Sequence, residues 1–552
     1  MRWADHMAER YGIAIDIGTS GLRAQSIDLA DKRVIATAIT LRHPLPGANV
    51  MDHLHFAIDV GQDFAHGLII RALNQLLAKI AIDLRKVERV AVCGNPIQLS
   101  LFQNMEIRDL AYAGDRAKAK LGVENVRRDA CVIKAGSLGL SLNPEADVYV
   151  PPAVKHEIGA DALAMMYETD FLKTEGIAMV TDYGTNAEMA LKVGDDIFTG
   201  SAAAGPAIEG QHIKKGMLAA PGAISDVELI PGTAHWRTFA LDDHMITNTS
   251  DSIDPLTGDV VAPGAVRVKG ITGTGVIALV STGLDTGLMR PGKMLTPQKV
   301  VRLQGGIIFD EEDLVEVGKT IAAFTAGHIT LATECGISLK EIRSMYMSGA
   351  SGTYMSSPKA ARIGLVPGTV QRTVQAGNTS LAMARDLVRN PELLDVLQST
   401  ANSIRARHIM FANSKVFENA FAVELGVWTQ GMSFEGEDKM LKHFGLEPRP
   451  PLNRNIEVIK LVQRDIQDLG AEGLTVVEDI GIDLIGEPEG CIGDARCVKA
   501  CPEDAICVGK AGELWRVVIA SDKCMGTACR RCERACKLRV LRLEKLRIAE
   551  DG

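Results

Sequence analysis

A chain of 552 residues is too long for one ordinary core, and roughly two to four domains are expected. Apolar residues make up 46%, charged residues 23% and aromatic residues 4%, with 53 glycines, which fits a globular α/β body rich in tight turns. A formal net charge of −9 argues against a general nucleic-acid binder, and no apolar run reaches the roughly 18 residues of a membrane span.

The first ten residues form a polar tail without the apolar core of a signal peptide, so a cytoplasmic location is expected. Ile13–Ile17 then reads as a strand, Gly18-Thr19-Ser20-Gly21 as its turn and Leu22–Leu29 as a second strand. Phe64–Leu84 carries apolar residues at helical spacing and leads into a strand, Arg89–Cys93, that ends at Gly94-Asn95-Pro96. The opening pattern recurs at Ile177–Asp182, with Tyr183–Ala187 as the turn and Glu188–Val193 as the second strand. The two Asp-x-Gly-Thr turns lie 166 residues apart, a duplication at domain scale. Beyond them come a glycine-rich stretch, Ser201–Gly210, and a polar segment, 238–266, whose few periodic features suggest a surface insertion. A helix is expected over Asp313–Gly336, a strand and loop over Met345–Gly352, and a proline-rich linker over Glu447–Arg454.

A strand that ends in Asp-x-Gly-Thr is a phosphate-binding device: glycine lets the backbone approach, while exposed amides and hydroxyls donate to phosphate oxygens. The aspartate can hold Mg2+ through water. One such turn is weak evidence, since most are plain hairpins, but two at domain spacing with Ser348-Gly349-Ala350-Ser351-Gly352 downstream are much stronger. Asp161 reads either as a second metal- or water-positioning carboxylate or as the N-cap of a helix over Ala162–Glu168. Glu188 reads equally well as a solvated strand residue.

Eight of the eleven cysteines fall in the last 62 residues: Cys491, Cys497, Cys501, Cys507, Cys524, Cys529, Cys532 and Cys536. The runs are close to those of two-cluster ferredoxins, where the fourth cysteine of each run crosses to the other cluster. On that pattern Cys524, Cys529, Cys532 and Cys501 hold one [4Fe–4S] cluster, and Cys491, Cys497 and Cys536 hold part of a second. Asp494 stands where the first run should have its second cysteine. Cys507 is the spare thiolate, so Cys507 or Asp494 completes the second cluster, or the site holds three irons; the softer thiolate favours Cys507. Structural zinc is the bland alternative. Nearby basic residues, among them Arg530, Arg531, Arg534 and Lys537, would offset cluster charge and dock an acidic redox partner. Cys93, Cys131 and Cys335 lie in apolar surroundings and are expected in the core.

The duplicated turns and the downstream glycines resemble the superfamily of acetate and sugar kinases, Hsp70 chaperones and actin. That resemblance implies an α/β fold with two lobes, about 11–175 and 176–450, preceded by a tail (1–10) and followed by a small α+β ferredoxin-like domain (451–552). It implies a first phosphate loop of Asp16, Gly18, Thr19 and Ser20, a second of Asp182, Gly184, Thr185 and Asn186, and Gly349 and Gly352 flanking adenosine. Further segments are similar to the reductive activators of corrinoid proteins: Ser201–Gly210 with Gly205, Gly270–Val276, Ile321–Gly327, Val180–Glu188 and Val92–Pro96. The C-terminal clusters resemble the branch that serves methylamine methyltransferases. The implied activity is ATP-dependent reduction of inactive Co(II) corrinoid to Co(I), with Mg2+, two [4Fe–4S] clusters, a corrinoid protein as partner and an upstream low-potential electron donor; no oligomeric state is specified. A small-molecule kinase with a fused ferredoxin, a 2-hydroxyacyl-CoA dehydratase activator and a nucleotide- or redox-sensing scaffold are the rival readings.

Overall fold

The computed structural model describes residues 9–111, 122–123, 126–154, 158–210, 212–404 and 407–549. The expected tail 1–10, apart from residues 9 and 10, lies outside them. The chain forms two compact units. The first comprises Met1–Ala160, Met383–Thr400 and Asp468–Gly552, and the second Asp161–Ala382 and Ala401–Gln467.

The first unit opens with strands β1 (Tyr11–Ile17), β2 (Leu22–Asp28) and β3 (Val34–Thr40), followed by helices α1 (Val50–Val60) and α2 (Gln62–Leu77). Strand β4 (Val87–Gly94), helix α3 (Pro96–Phe102), and strands β5 (Cys131–Lys134) and β6 (Asp147–Val150) follow. Ile13, Ala14, Ile15 and Ile17 are all fully buried, so β1 is covered on both faces, which explains its unbroken apolar run. It pairs antiparallel with β2 and parallel with β4, placing Asp16 opposite Cys93.

The second unit starts with helix α4 (Ala160–Tyr167) and repeats the device with β7 (Ile177–Tyr183), β8 (Asn186–Val193) and β9 (Asp196–Ala203). A five-stranded sheet follows: β10 (Ala223–Leu229), β11 (Trp236–Leu241), β12 (Thr247–Ile253), β13 (Val260–Ala262) and β14 (Gly270–Ile271), in the order β13-β12-β11-β10-β14. The polar segment 238–266 therefore contributes to three of these strands, β11, β12 and β13. Two of its hydroxyls are buried against backbone carbonyls, Thr238 donating to Asp251 at 2.9 Å and Ser250 to Val266 at 2.7 Å, so these polar residues are satisfied inside the sheet. Helices α5 (Gly273–Asp285) and α6 (Glu311–Glu334) come next. An Asp310/Asp313 capping box starts α6, and three acidic residues occupy its first turn. Strand β15 (Ser344–Ser348), the short helix α7 (Gly349–Tyr354) and strands β16 (Arg372–Gly377) and β17 (Glu457–Lys460) complete this unit's main sheet.

The chain then returns to the first unit through β18 (Leu474–Val477), which pairs with β3. The first sheet thus runs β18-β3-β2-β1-β4-β6-β5 and the second β17-β16-β15-β7-β8-β9. Reversed, the second matches the first: β9-β8-β7-β15-β16 repeats β3-β2-β1-β4-β6. The tail follows as a four-stranded antiparallel sheet of β19 (Asp483–Gly486), β20 (Ile506–Ala511), β21 (Leu514–Ala520) and β22 (Arg547–Ile548), ordered β20-β21-β19-β22. Among the described residues no helix is long and apolar enough to cross a membrane.

Candidate functional site: two Asp-x-Gly-Thr turns and a cysteine tail

In the first unit the turn Gly18–Gly21 joins β1 to β2, closed by the Gly18 amide donating to the Gly21 carbonyl at 3.1 Å. Asp16 is buried, with Oδ2 3.3 Å from the Arg23 guanidinium. Asn95, at the end of β4, donates to the Thr19 hydroxyl at 3.2 Å. The Leu22 amide donates to Thr40 Oγ1 at 2.8 Å, and a Cβ on Gly21 would stand 2.9 Å from the Thr40 carbonyl. Backbone crowding thus demands glycine there and ties the turn to the end of β3. Arg23, Asn95 and Thr40 were not singled out by the sequence reading; only Asn95 lay in a motif, Gly94-Asn95-Pro96.

In the second unit Gly184 and Thr185 form the turn, and Asp182 faces Glu188 across the β7–β8 pair. Ser348 Oγ lies 3.4 Å from Asp182 Oδ2 and 2.6 Å from the Thr379 hydroxyl. Gly349 has φ of 81°, and a Cβ there would meet Asp182 Oδ1 at 2.5 Å. Asp182 and Gly349 are therefore one construction: the carboxylate occupies the space that a side chain would need. The Gly205 amide donates to the Thr185 carbonyl at 2.9 Å, so Gly205 is fastened to the same turn. Asn186 begins β8 opposite Ala203, and Gly352 packs against the Met347 backbone, where a Cβ would come within 3.0 Å. Asp161 is the second residue of α4 and not its N-cap, and its carboxylate accepts from the Ala162 amide at 2.8 Å.

The tail cysteines fall into two groups. Cys524 interacts electrostatically with Cys532, Cys501 and Cys529, and burial pushes its thiol up to about 12. Burial also raises Cys532, to about 11, and Cys532 is near Cys497 of the other group as well as Cys529, so the two groups are adjacent. Cys497 interacts with Cys491 and Cys536, and burial raises it as well. Buried thiols of this kind ionise only beside a cation, the chemistry of a metal-ligating sulfur. The groups do not meet at a point: among the described residues no three His, Cys, Asp or Glu side chains are gathered for a single ion. Cys507 joins neither group and is exposed on β20. Asp494 instead lines a cavity with Cys491, Cys497 and Cys536. Of the other cysteines, Cys93 is buried, whereas Cys131 and Cys335 are half-buried rather than fully in the core.

The first cysteine group is docked on the first unit. Helix α8 (Arg496–Lys499) precedes Cys501, and helices α9 (Gly526–Cys529) and α10 (Arg531–Ala535) carry Cys529 and Cys532. The Gly47 amide donates to the Cys524 carbonyl at 2.9 Å, and Arg530 reaches Asp59 of α1 at 2.9 Å. The segment from Thr40 to Gly47 therefore connects the first Asp-x-Gly-Thr turn to Cys524 within one compact unit.

Residues 11–174 match the family described as the RACo middle region, and residues 176–437 match the one described as the C-terminal domain of RACo, the ASKHA domain. A reductase from Methanosarcina barkeri, named for a Co(II) methylated amine-specific corrinoid protein, is 49% identical over 519 residues, covering 94% of this chain and 96% of its own. This chain belongs to the reductive activators of corrinoid proteins. The corrinoid activation enzyme RamQ of Eubacterium limosum is 25% identical over 370 residues, covering 65% of this chain and 60% of its own. Among solved structures, a reductive activator for a corrinoid, iron–sulfur protein superposes with a TM-score of 0.63 at 21% identity, covering 76% of this chain and 66% of that one. That likeness concerns the fold.

Proposed function

We propose that this reductive activator uses ATP to return the Co(II) corrinoid of a methylamine-type methyltransferase system to active Co(I). The observation that carries the reading is the 49% identity, over nearly the whole chain, to a reductase whose name states that target. Cobalt reduction is uphill for ordinary donors: a gap of about 200 mV costs about 4.6 kcal/mol, at ~59 mV per tenfold for one electron. ATP supplies that energy only by contacting two states of the protein differently.

Asp16, Gly18, Thr19 and Ser20 form one phosphate-binding turn on this reading, and Asp182, Gly184, Thr185 and Asn186 the other, with Mg2+ held through water by an aspartate. Gly205, Gly349 and Gly352 allow the backbone to come close to nucleotide. Cys501, Cys524, Cys529 and Cys532 would hold one iron–sulfur cluster, and Cys491, Cys497 and Cys536 three corners of a second. When bound there, such clusters supply one-electron transfer between an upstream low-potential donor and cobalt. The exposed Arg534 and Lys537 suit docking of an acidic partner. Eleven free cysteines suit a reducing compartment, the cytoplasm.

The test is anaerobic and optical. Iron-loaded protein is mixed with a Co(II) methylamine-type corrinoid protein, a low-potential reductant and Mg-ATP, and the Co(I) spectrum is followed. Co(I) is expected only with ATP, and Asp182→Ala is expected to abolish it at unchanged iron content. Co(I) formation independent of ATP, or full activity in that variant, would overturn the reading.

A further inference from the structure

Cys507 and Asp494 compete for the fourth corner of the second cysteine group, and β20 decides between them. Side chains alternate along a strand, so neighbours face opposite sides. Val508 lines the cavity that holds Cys491, Cys497 and Cys536, and its cross-strand partner Val517 lines it too. Cys507, one residue earlier, pairs with Val518, is exposed and is absent from that lining. Bringing its sulfur round would require a one-residue register slip of β20, which would also turn Ile506 out of the core.

Asp494 is already in place. The loop from Cys491 to Cys497 is held tightly: Gly493 has φ of 68°, and a Cβ there would strike the Trp515 ring at 2.3 Å. Ala495 takes the left-handed conformation at φ of 54°, unusual for a residue with a Cβ. Between these two positions Asp494 stands on the cavity wall beside Cys491 and Cys497. Its partners are the Arg496 amide and guanidinium, each at 3.3 Å, and the Arg496 side chain is 58% exposed and can swing away at little cost.

We infer that Asp494, and not Cys507, is the fourth ligand of the cluster held by Cys491, Cys497 and Cys536. The inference rests on the reading that the tail carries iron–sulfur clusters. A carboxylate is a harder ligand than a thiolate and binds iron less firmly at a cluster corner. The iron at Asp494 is therefore the labile one. One-electron oxidation by ferricyanide converts [4Fe–4S]2+ to [3Fe–4S]+, releasing that iron as Fe2+ while the electron goes to ferricyanide.

The test uses the whole chain, with iron content and EPR as readouts. Wild type and Cys507→Ser are both expected to carry about eight irons, the content of two cubanes, and to gain a three-iron EPR signal, with release of about one Fe2+, on oxidation. Asp494→Cys is expected to suppress that conversion, and Asp494→Ala to be isolated already carrying the three-iron signal. Loss of iron in Cys507→Ser, or an unaltered conversion in Asp494→Cys, would overturn the assignment. An Asp494→Ala chain that misfolds leaves the other two variants to decide. Wild type with no iron after anaerobic reconstitution would bring down the cluster reading itself, a separate failure visible before any variant is made.

Discussion

At Gly349 a single missing Cβ serves two purposes. Its φ of 81° lies in the left-handed region, and the Asp182 carboxylate fills the space where a side chain would stand. Alanine there meets about 1–2 kcal/mol of backbone strain and also displaces Asp182. Gly349→Ala is expected to weaken Mg-ATP binding at least tenfold while leaving iron content and circular dichroism unchanged, measured by anaerobic calorimetry. Wild-type affinity in that variant would separate Asp182 from the nucleotide. Asp182 and Gly349 stood out in the sequence because each lies in a short glycine motif. Their mutual contact did not, since 166 intervening residues hide a pairing that only the parallel β7–β15 register creates. Arg23 and Thr40 were illegible for a related reason: an arginine or threonine in a strand carries no mark of what it faces.

The elements most readable in the sequence are those whose local pattern agrees with their burial. Strand β1 reads as a buried strand because Ile13, Ile15 and Ile17 fill one face and Ala14 is buried on the other, and α6, expected from Asp313, begins at Glu311 behind its Asp310/Asp313 capping box. The strands of the β10–β14 sheet leave little periodic signal because residues 238–266 are mostly exposed or half-buried, with scattered buried positions such as Thr238 and Ser250, whose hydroxyls donate to carbonyls. Nor did the sequence indicate that residues 457–460 and 474–477 feed separate sheets, because parallel pairing with distant strands leaves no local trace. The tail's attachment belongs to this scale as well. Gly526, at φ of 65°, would place a Cβ 2.9 Å from the Pro46 carbonyl, and Arg530 bridges Asp59, Glu533 and Glu544. Gly526→Val is expected to loosen the tail, raising amide exchange in residues 43–60 at least tenfold. Arg530→Ala is expected to act in the same direction by about 1–2 kcal/mol, because the buried Glu533 loses one of its cations. Unchanged exchange in both variants would mean that the tail is held elsewhere.

Across the whole molecule, buried ionisable groups give the two units different responses to pH. In the first unit His43 and His53 stack at 4.3 Å between ring centroids, and burial holds both neutral, pushing His53 down to about 3. Their folded pKa values lie below the unfolded value of 6.5, so their stabilising contribution is complete above pH 6.5 and is lost as pH falls towards 3. Each costs about 1.4 kcal/mol per pH unit below 6.5, so this unit weakens steadily in acid. In the second unit His328, likewise lowered to about 3 by burial, has the same slope. Glu424 opposes it: burial raises its carboxyl to about 8, so it destabilises the fold as pH rises from 4.5, where the unfolded chain ionises. Between 4.5 and 6.5 the two slopes oppose one another, and above 6.5, where the histidine no longer titrates, the Glu424 slope remains. Through the histidines the first unit is therefore expected to lose stability below pH 6.5, and through Glu424 the second is expected to decline above it. Urea titrations at pH 5, 6.5 and 8, followed by hydrogen exchange in each unit, separate the two curves. Glu424→Gln should flatten the decline of the second unit between pH 6.5 and 8 without touching the first, and a decline that persists in that variant would place its origin in another group.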